Sequence, residues 1–310
     1  ISIYGRAKLN IKKLGMGVKK RIKEKGRSAR FVTSKEKTLS SVVVKTNKLL
    51  SGRGAEFVIL SDGKKNFLGK TLAVQEFEEY EKRDYGKPSR NMVRGMLPPK
   101  LAKMMVNLSC APKDGVVLDP FCGTGTILGE AALLGYKNVT GSDNDSEAIK
   151  SAEENLVWLK NNYQPSTTNY QLFVADARQV SKKIEKKSID AIITEPYLGP
   201  PMRGDESAEK IKQLAALLKG LYLESLEELK KILKSDGCIV FVLPIFKTRN
   251  QMTVLDLRKE LKAIGFEVAN PLPEEIQKKI SNGIGRNGGL IYGRPAQRVW
   301  REILILKIRI

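Results

Sequence analysis

Apolar and polar positions change their rhythm near residue 100. Beyond it, short apolar runs alternate with stretches of helical period. Leu101, Met104, Met105 and Leu108 share one helical face. Gly115 to Asp119 reads as a short buried strand, followed by a glycine-rich turn and a helix through Leu134. Val139–Asp143 is a second strand, Ser146–Lys160 a second helix, and Leu172–Asp176 and Ile189–Ile193 two further strands. Lys210–Leu233 predicts a long amphipathic helix and Gly237–Leu243 a fifth strand, then a helix over Val254–Ile264 and a closing β segment over Val299–Ile310. Strands alternating with helices predict an α/β domain with a mostly parallel sheet covered on both faces.

The first 80 residues follow another pattern. Two β-rich runs, Ser41–Val44 and Glu56–Leu60, lie among basic helical or loop stretches, and Ser61-Asp62-Gly63-Lys64 reads as a hairpin turn. A charged segment from Glu76 to Arg94 ends in Gly95-Met96-Leu97-Pro98-Pro99, and the prolines disfavour helix just before them. The expected organisation is therefore a basic region at 1–80, a linker at 81–97 and the main domain at 98–310.

Charge sharpens that division. The chain carries 55 Lys and Arg against 34 Asp and Glu, a net +21, and residues 1–50 hold fifteen basic side chains but only Glu24 and Glu36 as acids. Clustered cations are rewarded by phosphate neutralisation and counterion release, so a polyanionic partner is expected at the front of the chain. There is no histidine. That excludes imidazole bases, Ser-His and Cys-His nucleophile pairs and most catalytic zinc sites, so no metal is expected. Cys110, Cys122 and Cys238 stand far apart, which suits a reducing, cytoplasmic compartment. No apolar run is long enough to span a membrane and the first residues carry no secretory pattern. With no initiator Met, a fragment or processed chain is expected.

Candidate chemistry gathers at the ends of the expected strands. Asp119-Pro120-Phe121-Cys122-Gly123-Thr124-Gly125-Thr126 links the first strand to its helix, where glycines admit a ligand close to the backbone. The spacing Gly123-x-Gly125-x-x-x-Gly129 misses the dinucleotide fingerprint, and no Gly-Lys-Ser/Thr follows. A leading acid suits a cationic aminoacid group, as in S-adenosylmethionine. Asp143, followed by Asn144, can hold both ribose hydroxyls, and Asp176 can accept from the adenine amino group beside the Ala177 N–H. Helix capping would explain one such acid; three at consecutive strand ends point to a ligand. The run from Asp119 to Thr126 resembles motif I of Rossmann-type methyltransferases that act on amino nitrogens.

After the fourth strand stands Thr194-Glu195-Pro196-Tyr197-Leu198-Gly199-Pro200. It resembles the Asp/Asn-Pro-Pro-aromatic motif of amino-methyltransferases, whose acid or amide and proline carbonyl accept hydrogen bonds from the substrate amine. An exocyclic base nitrogen is a poor nucleophile, and two acceptors can localise its lone pair toward the methyl group. The resemblance implies catalytic roles for Glu195, Pro196 and Tyr197, with Tyr197 stacking on an extruded base. Glu195 departs from the motif by one methylene, and the aromatic stands one place early.

The stretches Arg83–Arg90, Met96–Ala102 and Tyr292–Ile303 are similar to the junction and closing segment of THUMP-domain-containing tRNA (guanine-10 N2) methyltransferases. The fold this resemblance implies is a Rossmann-like, doubly wound methyltransferase domain with a closing antiparallel strand, preceded by a smaller α+β RNA-binding region that looks like the C-terminal part of a THUMP module. The implied partner is tRNA, the implied reaction methylation of a guanine N2. Lys12, Lys13, Lys19, Lys20, Arg21 and Lys23 become candidate phosphate contacts. A DNA or rRNA amino-methyltransferase, and an RNA-binding protein that has lost catalysis, remain alternatives.

Overall fold

The computed structural model describes residues 1–90, 96–165, 168–249, 251–277 and 283–309. The chain divides into two compact units, Ile1–Lys82 and Arg83–Ile310.

The first unit contains β1 (Ser2–Gly5), α1 (Ile11–Glu24), α2 (Ser41–Thr46), β2 (Phe57–Ser61) and β3 (Asn66–Lys70). β2 and β3 form the expected hairpin, and β1 pairs in parallel with β2. Asp62 shapes the turn by accepting from the backbone N–H groups of Lys64 and Lys65, both at 2.7 Å, while Gly63 supplies φ +97°. The run expected as a strand at Ser41–Val44 is helical instead. The Ser40 hydroxyl accepts from Val43 N at the N-cap, and Val44 packs with Leu39 and Leu49. A cap and a small tertiary core outweigh the β preference of three consecutive valines.

Helix α3 (Phe77–Tyr85) extends into the stretch read as a linker and covers its first five residues, 81–85. Residues 91–95 of that stretch lie outside the described residues, as does Ile310 at the end of the closing segment.

The second unit runs through α4 (Pro99–Leu108), β4 (Val116–Asp119), α5 (Thr126–Leu133), β5 (Asn138–Asp143), α6 (Ser146–Tyr163), β6 (Asn169–Val174) and β7 (Ile189–Thr194). It continues with α7 (Ala208–Ile232), β8 (Leu233–Lys247), β9 (Met252–Val254), α8 (Arg258–Ala263), β10 (Phe266–Ala269), α9 (Glu274–Gln277), β11 (Leu290–Tyr292) and β12 (Val299–Ile308). The main sheet has the order β10-β12-β8-β7-β4-β5-β6, with β9 on β8 and β11 on β12. β4 to β8 pair in parallel, while β12 runs antiparallel to both β8 and β10.

The period of two along β8 divides the core. Ile239, Phe241 and Leu243 face α7 residues such as Leu218, Tyr222 and Leu226. Val240 and Val242 face α4 and α5 through Leu101, Met105 and Leu128. Burial on both faces explains the unbroken apolar run of this strand. Two expectations shift. In α4 the buried stripe is Leu101, Ala102, Met105 and Val106, whereas Met104 is exposed; the small Ala102 lets the helix lie against the sheet. The helix expected over Val254–Ile264 is confined to Arg258–Ala263, because β8 extends to Lys247 and its free edge pairs with Met252–Val254.

Candidate active site

The sheet order reverses between β4 and β7, which opens a crevice at the carboxyl ends of the strands. Asp119 ends β4 and Asp143 ends β5; Asp176 lies just past β6, and Glu195 directly follows β7. All four line one cavity of about 920 Å³, ample for a nucleoside-sized ligand. Asp145 and Glu147 bring its carboxylates to six, against the guanidinium groups of Arg178 and Arg301. A chain of net charge +21 thus encloses an acidic pocket, which selects for positive charge.

Asp119 forms its floor and is 1% exposed. Its Oδ1 accepts from the Thr194 hydroxyl at 2.7 Å and from Phe121 N at 3.1 Å, neither donor carrying a charge. Burial, reinforced by Asp143 and Glu195, pushes this carboxyl up to about 7. Asp143 is fixed through both oxygens, accepting from Gly123 N at 3.0 Å and Asp145 N at 3.1 Å. Each oxygen keeps a second lone pair for a ligand hydroxyl.

Asp176 is engaged differently. It caps the short 3-10 turn Ala177–Lys182 and grips the Arg178 guanidinium, with Nη2 to Oδ2 at 2.7 Å and Nε to Oδ1 at 3.0 Å. These hydrogen bonds hold its carboxyl below the usual range. An acid proposed as an acceptor for an adenine amine is therefore already a cap and an ion-pair partner, with Arg178 standing beside it in the cavity wall.

Phe121, Gly123, Thr126, Asn144 and Ala177 line the same cavity, as do Pro196 and Tyr197. Gly123 has φ +50° and open space where a Cβ would stand, so the turn is a cradle that a ligand can approach closely. Gly125 plays another part. It is the N-cap of α5 at φ +78°, outside the cavity lining, and a Cβ there would stand 3.2 Å from that of Ala152. Tyr197 is 47% exposed, and the buried Tyr222 hydroxyl donates to its carbonyl at 2.7 Å. That bond fixes the backbone behind Glu195 and Pro196.

Several contributors lie in the stretches quoted from the sequence but are assigned no role there. Thr194 is fully buried and orients Asp119. The Arg301 guanidinium grips Glu195 with Nε and Nη2, the latter at 3.0 Å. Lys87 reaches the start of α5 and donates to the hydroxyls of Thr126 at 3.0 Å and Thr124 at 3.2 Å; burial lowers the pKa of its ammonium. Asn155 bonds the Ser89 backbone on both sides and donates to the Thr124 carbonyl at 2.9 Å. The segment read as a linker is thus laced to the cofactor-type turn. Only its position in the stretch similar to the family junction singled it out.

The six candidate phosphate contacts all lie exposed on α1 in the first unit. At about 100° per residue, Lys12, Lys19 and Lys23 form one stripe, Lys13 and Lys20 flank it, and Arg21 points away. Gly15 is the buried residue of this helix, where a Cβ would run into the Phe31 ring.

A family model described as UPF0020, RMKL-like, methyltransferase domain, matches residues 89–265, over half of the chain. The chain belongs to this family. The acidic crevice lies at the end of the sheet where open α/β folds place their ligands. A second model, DNA methylase, matches residues 10–154. A tRNA (guanine(10)-N2)-dimethyltransferase of Methanothermobacter thermautotrophicus is 35% identical over 150 residues, 48% of this chain and 39% of that protein. A probable tRNA (guanine(10)-N2)-dimethyltransferase of Methanothermococcus thermolithotrophicus is 33% identical over 143 residues, 46% of this chain and 78% of that protein. The chain spans about half the length of the first curated relatives it matches, from 39% to 57%. Among solved structures, TrmN from Thermus thermophilus shares the fold, with a TM-score of 0.53 at 19% identity over 99% of this chain and 70% of that one.

Proposed function

We propose that this methyltransferase chain moves a methyl group from S-adenosylmethionine to the exocyclic N2 of a guanine in tRNA. The observation that carries the reading is one cavity that joins a cation-selecting acidic floor to a carboxylate rim at Glu195. Asp119 has uncharged hydrogen-bond donors as its partners and a raised carboxyl, which fits a site completed by a cationic ligand. Asp119 would take the ammonium of the cofactor, Asp143 its ribose hydroxyls, and the Gly123 turn its close approach. Bound there, the cofactor supplies an electrophilic methyl carbon on a positively charged sulfur.

Glu195 and the Pro196 carbonyl would accept the two N–H bonds of the target amine and aim its lone pair at that carbon. On taking the methyl group the amine would release one proton, toward Glu195 or water. Tyr197, half exposed at the rim, would stack on the extruded base. The names of the relatives favour tRNA, and the exposed cations of α1 supply sequence-independent phosphate contacts. Three free, separated cysteines favour the cytoplasm, and among the described residues no helix is long and apolar enough to cross a membrane.

The match to a DNA methylase model favours a second reading, a DNA amine as acceptor. Methyl transfer from labelled S-adenosylmethionine to unmodified tRNA and, in parallel, duplex DNA decides between them. Label in N2-methylguanosine is the expected result; label in a DNA base alone would overturn the substrate.

A further inference from the structure

We infer that Arg301 is the positioning residue for Glu195, and that the pair, rather than Glu195 alone, presents the acceptor to the target amine. The inference rests on the methyl-transfer reading above but not on which base carries the amine. Glu195 and Arg301 meet through two guanidinium nitrogens, Nε and Nη2, in a side-on fork. Their side chains are 13% and 12% exposed, and both line the cavity beside Pro196 and Tyr197. A surface ion pair worth little is therefore not what this is.

The two partners arrive on supports of different stiffness. Glu195 stands one residue beyond the end of β7, outside the ladder. Arg301 lies within β12, opposite Pro244 of β8 on one side and Tyr292 of β11 on the other. The strand fixes the guanidinium, and the guanidinium fixes the carboxylate. A glutamate needs this more than an aspartate would, since it carries an extra methylene and one more rotor, each a way to miss the amine. The lengthened acid at the motif's first place and an arginine reaching it from β12 are thus one device. A bidentate arginine occupies one lone pair on each carboxylate oxygen, leaving the others free to accept from a substrate N–H. Its charge also balances a rim that faces Asp119 and Asp143 across the cavity; Arg178, the other cation of the lining, is engaged by Asp176.

Arg301→Lys keeps the positive charge and removes the fork, and Arg301→Gln removes both. With the full chain and the nucleic acid that the wild type methylates, Arg301→Lys is expected to lower kcat about tenfold and Arg301→Gln about a hundredfold. KM for the nucleic acid should stay within about threefold, and calorimetric affinity for S-adenosylmethionine should not move. A salt bridge that only stabilised the fold would lower the melting temperature and leave kcat in place. Wild-type kcat in Arg301→Lys, with cofactor affinity intact, would overturn the proposal. That measurement decides the matter even if Arg301→Gln does not fold. Absence of methyl transfer by the wild-type chain to any nucleic-acid amine would instead overturn the reading beneath it.

Discussion

Helix α1 and the crevice at the sheet's carboxyl edge are charged oppositely, and they acquire their charge by different physics. On α1 the cations are exposed, and Gly15 is the one buried residue of the helix. In the crevice each acid has its own environment. Asp119 is buried against uncharged donors, Asp143 is tied to two backbone N–H groups, Asp176 is clasped by Arg178, and Glu195 by Arg301. A surface that binds by summed charge tolerates variation in any one member. A pocket that binds and orients does not, because each group is held at one angle in a low-dielectric setting.

That contrast predicts graded effects. The largest belongs to Glu195→Ala, expected to lower kcat for methyl transfer by about 10²–10³-fold while cofactor affinity stays unchanged. Turnover within about twofold of wild type would remove the carboxylate from the mechanism. Next is Asp143→Ala, which strips two hydrogen bonds to a charged acceptor and unseats Gly123. Cofactor affinity measured by calorimetry should fall by about a hundredfold, and an unchanged Kd would place the ribose elsewhere.

Asp119 gives a pH-dependent version of the same test. Its folded-state carboxyl lies at about 7, above the ~3.9 of an unperturbed aspartate. Below the lower value it is protonated in both states and contributes no pH dependence. Between the two values the folded chain holds a proton that the unfolded chain has released, so stability falls as pH rises through this window and is level above it. Cofactor binding should run the other way, since an ammonium favours the ionised acid. Affinity is expected to rise by up to about tenfold per pH unit as pH approaches 7, then flatten. Asp119→Asn should abolish that slope; a slope that survives the substitution would assign it to another group.

The smallest effects per residue lie on α1. Replacing Lys12, Lys19 and Lys23 together by Gln should reduce the slope of log affinity for tRNA against log salt by about two to three. Cofactor affinity and the pH behaviour of the crevice should not change. If a single one of these substitutions abolished tRNA binding, α1 would be a specific contact rather than a charged surface.

Much of the second unit could be read along the chain because its determinants are local. Buried strands are near-continuous apolar runs, helices carry the 3.6 period, and the acids stand where those runs end. The same locality explains the misreadings. Three valines at 42–44 read as a strand, yet a Ser40 cap and contacts with Leu39 and Leu49 make them helical. Val254 reads as the start of a helix because the free edge of an extended β8, with which it pairs, cannot be seen from the residues around it.

The alternation of strands and helices, the excess of cations at the front, the absence of imidazole chemistry and the acids at successive strand ends are all legible along the chain. Which of those acids face one another, and what each is paired with, follows from the packing of the elements. Thr194 beneath Asp119 joins residues 75 positions apart, and Arg301 reaches Glu195 across 106. The reason is the order of the sheet. Pairing β4 with β7, and β12 with β8, brings distant segments to one edge, and hydrogen-bond partners follow from that adjacency rather than from spacing along the chain.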